Sequence, residues 1–424
     1  MAFCQKYYNF RYLMRILLLS NFYPPARSGG YTQLCFEVAE ALKRRGHEIF
    51  VLTSDHRVET VVRPETGVRR VLHLEGDLYY YRPLDFFLNW RRHRRENERR
   101  LREALADFSP DLVFVWGMWA LSRAIPALAE ALLPGRVVYY ISDYWPVAED
   151  PHEAYWNQPV RRGWMRPVKA FFGRLAGAVR GDEAGASLRF ERPLVVSRRV
   201  RDILLENGVA LVDPVVVHCG TDLSRFEPIE PVRPDPGRLK LLYAGQMVET
   251  KGVHTAVEAL GRLVAGGFGE RVELTLLGSG HPAYEVRIRD LVVRLELEPH
   301  IRYADPVPRE SFPALLTRFD ALVFPSIYEE PFARVTQEAM AAGLVVIGTT
   351  TGGTPEILAD GVNGLTFPPG DADALAGAIE KLLETPGLAG RLAEAGRRTV
   401  FERFDQEGMV DTVEAYLEKA MEFI

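Results

Sequence analysis

Twelve short apolar runs punctuate this chain, and the stretches between them carry helical periodicity. RILLLS, HEIFVLTS, DLVFVWG, RVVYYIS, RPLVVS and PVVVHCG fall in the first half, and LKLLYAGQ, RVELTLLG, HIRYAD, ALVFPS, LVVIGT and NGLTFP in the second. Runs that are apolar throughout suit strands buried on both faces, and amphipathic segments between them suit helices covering a parallel sheet. Between the first two runs, YTQLCFEVAEALKRRG sets Leu34, Val38, Ala41 and Leu42 on one face and ends on Gly46, a C-cap residue. Strands and helices in that alternation fold as doubly wound layers, whose ligands bind beyond the carboxyl ends of the strands.

A chain of 424 residues, 47% of them apolar, exceeds one ordinary core and has material for two. FEPIEPVRPDPGR has four prolines in thirteen residues, which forbids helix and central strand and stiffens a connector. The reading is therefore α/β, with two tandem doubly wound (Rossmann-like) domains facing a cleft, where the ligand is expected. The first domain is placed over 14–226, the linker over 227–238 and the second domain over 239–404, followed by a terminal helix over 405–424. Residues 1–13 are expected to be a disordered extension, because MRILLLSNFYPP begins at Met14 like a natural start.

The net charge of −5 conceals a basic first half (+7 over residues 1–225) and an acidic remainder (−12). An anionic partner for the first half and an Arg-rich coding bias both explain this. Cys4, Cys35 and Cys219 have no metal-like spacing and an odd count, which fits a reducing cytoplasm. Secretory-signal features are lacking, and no apolar run is long enough to span a bilayer. Arg91 to Arg100 holds no apolar residue, so as a helix it reads as a solvated face. With Tyr79, Tyr80, Tyr81, Phe86, Phe87 and Trp90 beside it, the same segment also suits an anionic membrane surface or a phosphate-bearing acceptor.

In YEEPFARVTQEAMAAG, Glu330 and Glu338 stand eight residues apart. On one continuous helix their rise alone would be about 12 Å, beyond the roughly 5 to 9.5 Å of hydrolase acid pairs. Pro331 instead puts Glu330 in the loop after ALVFPS and Glu338 inside the next helix, so both can face one long ligand. Lys251, between a strand and a helix, offers a point charge for a phosphate. Gly29 and Gly30 precede a helix whose free N–H groups suit an anion, and Gly352 and Gly353 repeat the device before Pro355 and Glu356. Each alone has a plain reading, as a surface acid or a turn glycine.

Their joint order resembles the retaining glycosyltransferases of family four, which have the GT-B fold. The resemblance runs from Met14 to the C-terminus and is carried by SNFYPPARSGGYTQLCFEVAEALKRRGHEIFVLTS, HCGTDLSRF, YAGQMVETKG and, most specifically, PSIYEEPFARVTQEAMAAGLVVIGTTTGGTPEILADGVNGLTFPPGD. It implies that Glu330 contacts the donor sugar, Glu338 the ribose and Lys251 the leaving diphosphate. Gly29 and Gly30 serve the same phosphates. Phe332 and Ala333 offer backbone N–H groups to sugar hydroxyls, Gly353 shapes the donor pocket, and the base lies near the strand of Arg302. It also implies that the last helix crosses back to an acceptor-side first domain.

Three positions depart from the family pattern. Gln246 stands where an Arg usually accompanies the Lys, and it brings hydrogen bonds but no charge. Ser142 replaces the usual His ahead of Asp143, and Ala333 stands where Gly is common. The expected activity is retaining, metal-independent transfer of a hexose from a UDP-, GDP- or ADP-sugar to a glycan, lipid-linked or small-molecule acceptor, with no other cofactor and no nucleic acid. Its setting is the cytoplasm, in peripheral contact with an anionic membrane. Glu330, Lys251 and Asp143 are the catalytic candidates.

Two other readings compete. A GT-B scaffold that has lost turnover fits the changes at Gln246 and Ser142. An oxidoreductase fits LTLLGSGHPAY, a G-x-G-x-x-A after a strand with Asp305 further on, but that motif sits on the second strand of its domain rather than the first. Asp371 and Asp373 read as helix cap and first-turn acids rather than metal ligands, and His281 and His300 as surface or turn residues.

Overall fold

The computed structural model describes residues 12–26, 29–56, 66–75, 83–149, 151–160, 163–180, 187–227 and 238–422. The extension up to residue 11, the linker over 228–237 and Tyr79, Tyr80 and Tyr81 lie outside the described residues. The chain forms two compact units. One comprises the chain up to Val196, Arg201–Val217 and the chain from Val410 on; the other comprises Ser197–Val200 and His218–Met409.

In the first unit β1 (Arg15–Leu19), β2 (Glu48–Ser54), β3 (Val68–Leu72), β4 (Leu112–Val115), β5 (Val137–Ile141), β6 (Pro193–Val195) and β7 (Val215–Val216) build one parallel sheet. Its order is β3-β2-β1-β4-β5-β6-β7, so the chain reverses its direction of travel between β1 and β4. Every residue of β4 and β5 is buried, which is why those runs are apolar without alternation. β3, sequence VRRVL, escaped the sequence reading: it is an edge strand with only Leu72 fully buried, so two arginines cost it little.

In the second unit β8 (Leu239–Ala244), β9 (Val272–Leu277), β10 (Ile301–Ala304), β11 (Ala321–Phe324), β12 (Val345–Thr349) and β13 (Leu365–Phe367) follow the order β10-β9-β8-β11-β12-β13, again all parallel. The direction reverses between β8 and β11. Leu241, Val257, Leu274, Ile288, Val323 and Ile347 belong to its core. All twelve apolar runs contain strands, and both halves are doubly wound as expected.

The continuous part of the second unit begins at His218, ahead of the proline-rich stretch, so the expected boundary at 226 falls inside it. Thr221 bridges Asp405, and its hydroxyl donates to Gln337 at 3.0 Å, which ties this segment to the second unit. The last helix, Gln406–Glu422, buries Met409, Val413, Leu417 and Ala420. From Val410 it belongs to the first unit, where Glu414 meets Arg45 at 2.6 Å and His47 at 2.8 Å.

The Arg-rich stretch lies on a 26-residue helix, Pro83–Phe108. Its arginines pair along that helix, Arg94 with Glu98 at 2.9 Å, Arg99 with Glu96 at 2.5 Å and Arg100 with Glu96 at 2.9 Å. Asn97 is the exception to a solvated face, buried and bonded through both side-chain atoms to the backbone of His73.

Candidate active site

The carboxyl ends of β8 and β11 flank the switch point of the second sheet, the place where open α/β sheets bind ligands. β8 runs into Gly245 and the exposed Gln246, whose carbonyl accepts from Tyr243 Oη at 2.7 Å. A single 3₁₀ turn, Glu249–Lys251, then hands over to Gly252. Gly252 has φ +66°, and a Cβ there would lie 1.9 Å from the carbonyl oxygen of Pro325. Only glycine lets the loops after β8 and β11 touch in this way.

That contact brings Lys251 to Glu330. Lys251 Nζ lies 2.5 Å from Glu330 Oε1, and Ser326 Oγ donates to the same oxygen at 2.6 Å. Glu330 is 7% exposed, so its carboxylate is paired as a buried charge must be. The Tyr328 ring stands 6.0 Å from the ammonium. Glu330 sits in the loop after β11 and Glu338 in the helix Arg334–Ala341, the division that Pro331 implied. Glu338 is also buried and meets Arg309 Nη2 at 3.2 Å.

Gly352 and Gly353 hold the loop of Glu330 in place. Gly353 N donates to the Glu330 carbonyl at 2.7 Å, and Gly352 N donates to Glu329 Oε2 at 2.8 Å. Gly352 has φ +58°, and a Cβ on it would lie 2.1 Å from the Glu330 carbonyl oxygen. On Gly353 it would lie 2.4 Å from that of Pro331. These glycines serve close backbone approach.

Phe332 and Ala333 are buried at the start of the Glu338 helix. The Phe332 ring stacks on His218 with centroids 4.8 Å apart and planes 8° from parallel. His218 Nε2 in turn lies 2.9 Å from Glu356, which also accepts from the amides of Arg198 and Arg199 at 3.1 Å. Burial raises the Glu356 carboxyl, but the His218 bond and the two amides outweigh it and hold it below the usual range. Ser326, Arg309, His218 and Glu356 were not singled out for this site from the sequence. Their roles arise from tertiary proximity, and only the Ser326 to Glu330 spacing within PSIYEE offered a local hint.

Arg302 stands apart from this cluster. It lies on the edge strand β10, largely exposed, with its guanidinium 3.3 Å from Glu273. The dinucleotide-like glycines are accounted for by packing. A Cβ on Gly278 would meet the Gly245 carbonyl and one on Gly280 the Met247 carbonyl, at 2.0 and 2.1 Å, while Gly280 N donates to Glu285. That loop is filled by the backbone of the loop after β8 and by an acid, the opposite of a pyrophosphate cradle. Asp371 caps its helix by accepting from Ala374 N at 2.9 Å, and Asp373 pairs with Arg262.

In the first unit Gly29, with φ +73°, opens the 16-residue helix Gly29–Arg44 with Gly30 beside it, both exposed. Tyr31 from the same turn donates to Asn21 Oδ1 at 2.9 Å and covers Gly117 after β4. Asp143 follows β5 and accepts from Trp145 N at 2.8 Å. Burial pushes its carboxyl up to about 6, the amide bond opposing only in part. Ser142 Oγ beside it is buried and has no hydrogen-bond partner among the described residues.

The second half matches the family model described as glycosyl transferases group 1 over residues 225–399, and the first half matches the model described as glycosyltransferase family 4 over residues 28–225. Glycogen synthase of Mycobacterium tuberculosis is 28% identical over 421 residues, which cover 95% of this chain and 94% of that protein. Among solved structures, sucrose-phosphate synthase from Thermosynechococcus elongatus superposes with a TM-score of 0.71 at 20% identity, covering 97% of this chain and all of that one. Anabaena HepE in complex with UDP-glucose gives 0.66 at 18% identity, covering 96% of this chain and all of its own. The two models abut at residue 225 and account for both doubly wound halves, and the chain belongs to the family 4 glycosyltransferases of GT-B type.

Proposed function

We propose that the protein transfers a hexose, with retention of anomeric configuration and without a metal ion, from a nucleotide diphosphate sugar to a glycan, lipid-linked or small-molecule acceptor. The observation that carries this reading is the meeting of Lys251, Glu330 and Ser326 at the switch point of the second sheet. Loss of the diphosphate from the sugar leaves charge on its oxygens, and an ammonium held in a partly buried site stabilises that charge far better than water does. In this reading Lys251 takes the phosphate, with Gln246 adding a neutral hydrogen bond. Glu330 turns its carboxylate to the sugar hydroxyls, supported by the amides of Phe332 and Ala333 and by Gly353, which shapes the donor pocket by holding the Glu330 carbonyl. Glu338 accepts from the ribose, with Arg309 fixing its carboxylate, and Arg302 lies on the side of the base.

For the first unit, the family resemblance assigns Gly29 and Gly30 to the diphosphate and Asp143 to the reacting sugar. That unit is read as the acceptor side over 14–226, with 239–404 as the donor side and 405–424 as the return helix. The similarity to a protein solved with UDP-glucose makes UDP-glucose the first donor to try, with ADP- and GDP-sugars beside it. None of the described helices is long and apolar enough to cross a membrane. The setting we propose is glycan or glycolipid assembly in the cytoplasm with peripheral contact to an anionic membrane.

Gln246 favours one other reading, a binding scaffold without turnover, because it leaves Lys251 without the usual second cation. Release of nucleoside diphosphate from UDP-, GDP- and ADP-sugars separates the two. Transfer chemistry predicts release by the wild type and its loss in Glu330→Ala; equal background release from both would establish the scaffold.

A further inference from the structure

The first unit presents an apolar surface that its own fold, among the described residues, uses only at one ring, Phe172, whose centroid lies 6.3 Å from that of Phe87. The turn Gly163–Met165 and the helix Arg166–Arg180 carry Trp164, Met165, Val168, Phe171, Phe172 and Leu175, all exposed, with Trp164 68% and Phe171 64% accessible. Val168, Phe171, Phe172 and Leu175 recur at i, i+3, i+4 and i+7, which aligns them along one stripe. Apart from that ring contact, the helix is anchored by small residues. Ala176 is fully buried against Trp90, and a Cβ on Gly173 would lie 3.6 Å from Trp156. The usual order is thus inverted, with small residues packed inward and large apolar ones outward.

We infer that this turn and helix form a docking surface for an anionic lipid bilayer. The charge around the stripe selects that occupant. From Gly163 to Arg180 the sequence carries Arg166, Lys169, Arg174 and Arg180 and no acid, and no acid stands anywhere between Glu153 and Asp182. Lys169 bonds the Gln158 carbonyl at 2.5 Å and lies 5.0 Å over the Tyr155 ring, while Arg166 and Arg174 are exposed. An aromatic stripe with cations along its flanks and no anions is the composition of a helix that lies in the headgroup region, with its rings in the acyl boundary and its cations at the lipid phosphates. The Arg-rich helix Pro83–Phe108 differs on this point, since Glu96, Glu98 and Glu103 already pair with its arginines.

The inference rests on the membrane-contact part of the proposed function. Its test uses no sugar donor, so its failure and the failure of glycosyl transfer are separate observations. The full chain is expected to co-sediment with phosphatidylcholine vesicles containing about 30 mol % phosphatidylglycerol, and at least about tenfold more weakly with phosphatidylcholine alone. Trp164→Glu with Phe171→Glu is expected to cut binding to the anionic vesicles by at least about tenfold. Arg166→Glu with Arg174→Glu keeps the apolar stripe and is expected to abolish the preference for anionic lipid, which covers the case of a misfolded aromatic variant. Absence of vesicle binding by the wild type, or binding that neither pair of substitutions changes, overturns the proposal. So does a concentration-dependent dimer that the aromatic variant abolishes, because the stripe would then serve a second copy of the chain.

Discussion

Lys251 Nζ lies 2.5 Å from Glu330 Oε1, so a phosphate that binds Lys251 competes with a buried carboxylate for one ammonium. Under the proposed function, the pair holds both groups in register for a ligand that carries a phosphate at one end and sugar hydroxyls at the other. Lys251→Ala is expected to lower donor turnover by about 10²- to 10³-fold, the usual effect of losing one preorganised charge-stabilising donor. Steady-state release of nucleoside diphosphate measures this. A loss below tenfold would place leaving-group stabilisation elsewhere.

Gly352 carries the shape of the same loop. Its φ of +58° and the 2.1 Å approach of a Cβ to the Glu330 carbonyl oxygen mean that any side chain must displace the backbone of Glu330. Gly352→Ala is expected to destabilise the protein by at least about 2 kcal/mol and to lower turnover further than its stability loss explains. Urea unfolding with kinetics on the folded fraction tests both. Wild-type stability and turnover together would mean that the loop relaxes freely.

Asp143 gives a pH dependence with a definite sign. Its carboxyl is raised from an ordinary 3.8 to about 6, burial being the main cause. Below about pH 3 it is neutral in folded and unfolded chains alike. From there to about pH 6 the folded state holds a proton that the unfolded state releases, so stability falls as pH rises, by up to about 3 kcal/mol in all. Asp143→Asn can keep the bond from Trp145 N without the charge. Thermal melts should show the variant more stable than wild type above about pH 7 and equal to it at about pH 3. Equal melting at both would mean that the carboxylate is solvated as it ionises.

Glu414 ties the terminal helix to the first unit through Arg45 and His47, at 2.6 and 2.8 Å. Removing one member of a buried charge pair strands the other. Glu414→Ala is expected to cost about 3 kcal/mol, moderated because Arg45 retains Asp411 at 2.8 Å. Chemical denaturation monitored by circular dichroism checks it. A cost below about 1 kcal/mol would assign helix docking to Val410, Val413 and Leu417 alone.

The sheets were legible in the sequence because strands buried on both faces have no choice but to be apolar throughout, as β4 and β5 are. β3 was not, because an edge strand tolerates the two arginines that broke the pattern. The placement of Glu330 in a loop and Glu338 in a helix could be read from Pro331, whose chemistry is local. Arg309 beside Glu338 and the membership of Ser197–Val200 in the second unit could not, since they depend on which chain ends the sheet brings together. Arg302 illustrates the same limit in reverse: its strand was found, but its guanidinium is engaged by Glu273 on β9.

Calorimetric titration with UDP-, GDP- and ADP-glucose probes the proposed donor site itself. One of the three is expected to bind the wild type, with affinity falling at least about tenfold in each of Lys251→Ala, Glu330→Gln and Glu338→Gln. Binding of a nucleotide sugar that all three substitutions leave unchanged would contradict the donor site proposed for the second unit.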